Sequence, residues 1–364
     1  MTDFGQKMVS NWPEAPARVR PMEVILTDIS AWTVYASGAP LIPVPQAEAI
    51  RVIESARASS AAASMVRGLV WWKSWEPYAR ALLGLPEGRS VPVHLMVAPC
   101  CQHGGRGTIK CHVAPQGNMR GFLCKTSMAA HGGKPIYVVS PAAYPLIRAR
   151  RLEELGIADL LAQMWSDFLV RPDLGGVIQY RSAPLCCKEE VETMLASLPS
   201  VRGGVQLQKA LGYVSPGAHS PMEVVLQLAL CLPQNLGGCG LPLPAMNKSM
   251  PLPGDARALF RGQRRITPDL AWLEKGLVVE YDSYQEHDQT EAQAQKDRNR
   301  RDAYERMGLR TITVDRNTMR DDTRRNLAFA NIANYLECEF DWSGDAQIKR
   351  HDLAWRLMHL QTIW

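Results

Sequence analysis

Between residues 268 and 282 two short apolar runs, Leu270-Ala271-Trp272-Leu273 and Leu277-Val278-Val279, flank the polar segment Glu274-Lys275-Gly276. Apolar runs on either side of a tight solvated turn predict a β-hairpin. With Glu274 and Lys275 as the turn, Leu273 faces Gly276. Counting outward then sets Asp269 across from Glu280, with Asp282 on the same face as Glu280. From Gln289 to Met307 the chain is rich in helix formers and free of Gly and Pro, and Gly308 is placed to end a helix. Ile312 and Val314 alternate with Thr311 and Thr313, which predicts a strand from Leu309 to Asp315.

The same patterning predicts short strands at Met22 to Thr27, Val91 to Val97, Thr108 to Val113 and Pro135 to Val139. It predicts helices over Ala47 to Ala63, from Ser140-Pro141 through Trp165 and Leu169, and over Glu189 to Leu198. Gly203-Gly204 marks a turn before Val205 to Gly212. Ser220-Pro221-Met222-Glu223 has the form of a helix start, with Ser as cap, Pro first and Glu reaching back to the Ser220 N–H. A Gly- and Pro-rich loop follows, then a weak strand near Met246 to Leu252. Helices are expected over Asn326 to Phe340 and Gln347 to Leu360, covering a sheet. The fold class expected is α/β: an N-terminal α/β region, residues 1–212, and a C-terminal mixed sheet flanked by helices, residues 213–364.

Composition adds bounds. A chain of 364 residues with 46% hydrophobic and 21% charged residues is long enough for two ordinary domains. The net charge of +5 permits a nucleic-acid partner without demanding one. No long uninterrupted apolar run suggests a membrane span, and nine cysteines without an apolar signal core suggest free thiols in a cytoplasmic protein. Cys100, Cys101, His103, Cys111, His112, Cys124 and His131 invite a zinc reading. Their spacing opposes it, since adjacent residues on a strand face opposite ways. Trp71, Trp72 and Trp75 are either a base-stacking platform or an anchor in the core.

The hairpin carries the candidate chemistry. Facing like charges are destabilising, at a cost of about 4 kcal/mol for a pair ~4 Å apart in an effective dielectric of about 20. A divalent cation would turn that repulsion into binding. Mg²⁺ takes carboxylate oxygens and retains waters, one of which can attack a phosphodiester. The plain alternative is a set of solvated strand-end carboxylates, separated if the turn is one residue longer.

Taken together, Asp269, the Glu280-Tyr281-Asp282 triplet, His287, and Asp297 with Arg300 and Arg301 on a helix before a Gly and a strand resemble the core of the PD-(D/E)XK nuclease superfamily. The branch most similar is that of very-short-patch-repair endonucleases. The likeness covers residues 216–320, and Glu223 stands where such nucleases carry an acidic residue on the first core helix. It implies Asp269 and Glu280 as ligands of Mg²⁺ or Mn²⁺, with Glu223 and Asp282 assisting. His287, Lys296, Arg300 and Arg301 would handle protons or DNA phosphates. Asp282 stands where the superfamily pattern ends in Lys, which fits this branch and leaves phosphate handling to the basic residues or a second ion.

The N-terminal layout resembles, more weakly, bacterial proteins related to AbiEi-type abortive-infection antitoxins, which implies DNA, a cognate toxin or self-association as partners. Two functions follow as expectations. One is a metal-dependent DNA endonuclease; the other is a non-catalytic DNA-binding regulator that keeps a nuclease fold. A protein–protein module built on the tryptophan cluster is a third.

Overall fold

A computed structural model of the protein describes residues 23–101, 107–131, 134–198, 201–260, 263–283 and 291–359. Strands β1 (Ile25–Leu26), β2 (Leu41–Pro43), β3 (Val93–Val97), β4 (Ile109–Val113), β5 (Leu123–His131) and β6 (Lys134–Val139) form one mixed sheet. Its order is β2-β5-β6-β1-β3-β4. β1 is parallel to β6 and antiparallel to β3, and β3 is parallel to β4. All five residues of β3 are buried. β7 (Phe168–Arg171) and β8 (Val177–Tyr180) make a separate antiparallel pair.

The second larger sheet contains β9 (Ala245–Met246), β12 (Leu270–Trp272), β13 (Leu277–Asp282) and β14 (Arg310–Asp315), in the order β14-β13-β12-β9. The ribbon of β10 (Met250–Pro251) and β11 (Arg265–Ile266) lies outside it. β13 and β14 run parallel, so the chain must cross over between them, and the helix Glu291–Arg306 makes that crossing. The protein is thus an α/β fold with a mixed C-terminal sheet flanked by helices.

Period-two alternation decides what each face of the β12/β13 pair meets. Leu270, Trp272, Leu277 and Val279 enter the large hydrophobic core, which also holds Val224 and Leu228 of the helix Pro221–Cys231. Ala271 and Val278 point the other way, into a smaller core with Ala303 and Tyr304 of the crossover helix. The large core is continuous from Val24 to Leu357, so both sheets rest on one apolar mass.

Several elements differ from their sequence expectation. The helix expected over Ala47 to Ala63 is two, Gln46–Ser55 and Ser60–Gly68. Ser59 interrupts it because its hydroxyl accepts the Ala62 N–H at 3.0 Å and caps the second. The helical stretch after Ser140 is likewise split into Tyr144–Arg148 and Glu154–Met164, and Leu169 belongs to β7. The weak strand near Met246 to Leu252 resolves into β9, which joins the sheet, and β10, which pairs with β11. Trp71 and Trp72 lie buried on the helix Val70–Leu82, and Arg171 stacks 4.4 Å from the Trp75 ring, so the cluster is packing. Among the described residues no helix is long and apolar enough to cross a membrane.

Candidate functional site

The β12/β13 pairing has the register Leu270↔Val279, Ala271↔Val278 and Trp272↔Leu277. One step further along the ladder, Asp269 stands across from Glu280. The turn is longer than two residues: Leu273–Lys275 forms a 3-10 turn, and Gly276 closes it at φ +65°. A left-handed backbone there suits Gly. The four-residue loop is centred on the same point as a two-residue turn, so the register is unchanged.

Burial acts first on Asp269, and the charges of Glu280 and Glu223 add to it. Together they push its carboxyl up to about 7, against the pull of the Tyr281 N–H and of Arg300. The Tyr281 N–H donates to Asp269 Oδ2 at 2.7 Å. Glu280 points toward the crossover helix, as its place in the alternation with Val278 requires. Its Oε1 accepts from Arg300 at 2.5 Å and from the Tyr304 hydroxyl at 2.6 Å. Arg300 also donates to the Thr267 carbonyl at 3.0 Å, which ties the helix to the start of β12. Arg300 and Tyr304 are one helical turn apart, so a single face delivers both.

Glu223 is buried in the first turn of the helix Pro221–Cys231. Ser220 caps that helix, its hydroxyl accepting the Glu223 N–H at 3.2 Å. The Glu223 carboxylate reaches back one residue further than expected, to the His219 N–H at 2.8 Å, and accepts from Asn247 Nδ2 at 2.5 Å. The Asn247 backbone N–H in turn donates to the Asp269 carbonyl at 3.0 Å. Glu223 therefore serves as helix cap and as a charge within range of Asp269. Neither Asn247 nor Tyr304 is marked by any motif.

Asp282 continues β13 and is paired in register with Asp315 of β14. Lys296 and Arg301 lie exposed on the crossover helix, while Arg300 turns in to Glu280. His287 lies outside the described residues.

A second group of side chains meets in the N-terminal sheet. Asp28, His94 and His112 are buried, and their ligand atoms lie within 4.8 Å of one another; among the described residues they are the one such trio of His, Cys, Asp and Glu. This trio could hold a metal ion. Asp28 opens the helix Asp28–Ala36 at φ +50°, and Arg148 pairs with its Oδ1. Burial would raise the Asp28 carboxyl, but the hydrogen bond from His94 and the charges of Arg148, His94 and His112 outweigh it and hold it well below the carboxylate range. Burial pushes the His112 imidazole down to about 3 in spite of Asp28, so it is neutral. Of the Cys and His residues singled out for zinc, His103 lies outside the described residues; among the described residues no three of that set meet as ligands, but His112 finds partners outside it. Cys111 and His112 do face opposite ways: His112 is buried, Cys111 only partly.

No family model matches this chain, and neither the curated proteins nor the solved structures contain a match to it.

Proposed function

We infer that the C-terminal part of the chain hydrolyses phosphodiester bonds in DNA with the aid of a divalent cation, Mg²⁺ or Mn²⁺. The observation that carries this reading is the facing of Asp269 and Glu280 on adjacent strands, with the Asp269 carboxyl pushed up to about 7 by burial and by its acidic neighbours. A partly buried carboxyl whose proton affinity is raised by a facing carboxylate also favours a cation there. Mg²⁺ accepts a site of this kind, because one or two carboxylates suffice when water and phosphate oxygens complete the octahedron.

In this reading Asp269 and Glu280 hold the ion, and Glu223 adds to the field at Asp269. Arg300 exchanges its bond to Glu280 for a DNA phosphate as the ion arrives. Lys296 and Arg301, exposed on the same helix, hold the phosphate backbone through charge. An ion held there would supply the activation of the attacking water. Asp282 and His287 keep the assisting roles that the resemblance to very-short-patch-repair-like nucleases implies. The succession of helix Pro221–Cys231, β9, the β12/β13 hairpin, helix Glu291–Arg306 and β14 supports that resemblance.

The bonds from Arg300 and Tyr304 to Glu280 favour a second reading, a DNA-binding regulator in which the guanidinium permanently replaces the cation. With the antitoxin-like layout it implies a cytoplasmic protein that binds DNA and a cognate toxin or a second copy of itself. Nicking of supercoiled plasmid separates the two. The nuclease reading predicts Mg²⁺-dependent nicking that falls at least 100-fold in Asp269→Ala. The regulator reading predicts salt-sensitive DNA binding without Mg²⁺, unchanged in Glu280→Ala, and no nicking.

A further inference from the structure

We propose that Asp28, His94 and His112 form a binding site for one transition-metal ion of the zinc class, completed by an exogenous anionic ligand. This site stands apart from the C-terminal carboxylates and does not rest on the nuclease reading.

Three separate parts of the chain build it. β3 and β4 pair in the register His94↔Lys110 and Met96↔His112, so the two histidines lie on one face of the sheet, diagonal to each other. The start of the helix Asp28–Ala36 is pinned against β3: the Thr27 N–H donates to the His94 carbonyl at 3.2 Å, and the His94 N–H to Ser30 Oγ at 2.9 Å. This brings Asp28 over the pair in a backbone conformation unusual for a non-glycine residue, φ +50°. Such strain persists where the surroundings hold it, and it gathers at functional sites.

The distances fit an ion. His94 Nδ1 lies 2.9 Å from His112 Nε2, and Asp28 Oδ2 lies 3.5 and 3.6 Å from the two nitrogens. A point equidistant from all three is about 1.9 Å from each. An ion at zinc bond lengths of ~2.0–2.1 Å therefore sits just off their plane, with a fourth tetrahedral position left over. Two imidazoles and one carboxylate favour zinc-class ions over Mg²⁺. A second sign of an incomplete polar site is adjacent, since His94 Nε2 and Thr27 Oγ1 are both buried with no hydrogen-bond partner among the described residues.

The arginines set the fourth ligand. Arg148 occupies Oδ1 of Asp28 and leaves Oδ2 for the ion, while Arg151, half exposed, lies 3.5 Å from Oδ2. A dication beside two guanidiniums and one carboxylate leaves a surplus of positive charge. Hydroxide or an oxyanion such as phosphate offsets it. When the ion is absent, the proton of a His94–His112 hydrogen bond takes its place.

The test uses the full chain, stripped of metal with a chelator and given one equivalent of Co²⁺. The proposal expects the intense visible absorption of tetrahedral Co²⁺, perturbed by inorganic phosphate, erased by Zn²⁺ and untouched by excess Mg²⁺. The spectrum survives Asp269→Asn and is lost in His112→Gln. A spectrum no different from free Co²⁺ in the native chain overturns the proposal and leaves a hydrogen-bonded histidine pair. A tetrahedral spectrum retained in both His94→Gln and His112→Gln overturns it too, by placing the ion elsewhere.

Discussion

Arg300 and Glu280 meet between the crossover helix and β13 at 2.5 Å, and Tyr304, one turn further along, donates to the same oxygen at 2.6 Å. This contact balances the acidic patch when no cation is bound. Removing the Tyr304 hydroxyl as Tyr304→Phe costs about 1 kcal/mol, the worth of one hydrogen bond. Arg300→Gln costs about 2 kcal/mol, because it leaves Glu280 and Asp269 without their nearest positive charge. Urea unfolding in a chelating buffer measures both. Millimolar Mg²⁺ restores part of the loss in Arg300→Gln, because the cation takes over the guanidinium's role.

The cap at Ser220 makes a simpler prediction. Ser220→Ala removes the acceptor for the Glu223 N–H and destabilises the protein by about 1 kcal/mol. Glu223→Ala costs more, because the His219 N–H loses its acceptor and Asn247 Nδ2 keeps only the Gly217 carbonyl. Thermal unfolding of the two variants ranks them, with Glu223→Ala the less stable.

Asp159, like Asp269, contributes a pH dependence. It is buried on the helix Glu154–Met164, and desolvation pushes its carboxyl up to about 7, with the Gln163 amide pulling slightly the other way. A carboxyl raised in the folded state keeps its proton between about pH 4 and 7 while the unfolded chain loses it. Stability therefore falls as pH rises through that window, on the order of 1 kcal/mol per unit. Asp159→Asn, which stays neutral and can still accept from Gln163, flattens this slope. Unfolding curves at pH 5 and pH 8 measure it, and an equal slope in both proteins would contradict the assignment.

The facing of Asp269 and Glu280 was legible because it is local in sequence. The register of Asp269 and Glu280 follows from a hairpin, where the turn alone fixes which residues face each other, and a longer turn centred on the same point leaves it intact. The Ser220 cap was legible for the same reason. The engagement of Glu280 by Tyr304 was not, since it depends on how a helix docks onto a sheet. Nor was the trio of Asp28, His94 and His112, whose members come from three distant parts of the chain. Its meeting requires β1, a strand of two residues, to lie between β3 and β6. Ser59 split a helix for a further reason: a Ser side chain competes for the backbone N–H wherever a turn is available.

The central claim is that Asp269 and Glu280 share a divalent cation. Mn²⁺ binding to the chelator-stripped protein, followed by electron paramagnetic resonance with Zn²⁺ saturating the N-terminal trio, measures it directly. The account predicts one bound Mn²⁺, displaced by Mg²⁺, whose affinity falls at least tenfold in Asp269→Asn and in Glu280→Gln. Equal Mn²⁺ affinity in the native chain and both variants would contradict it.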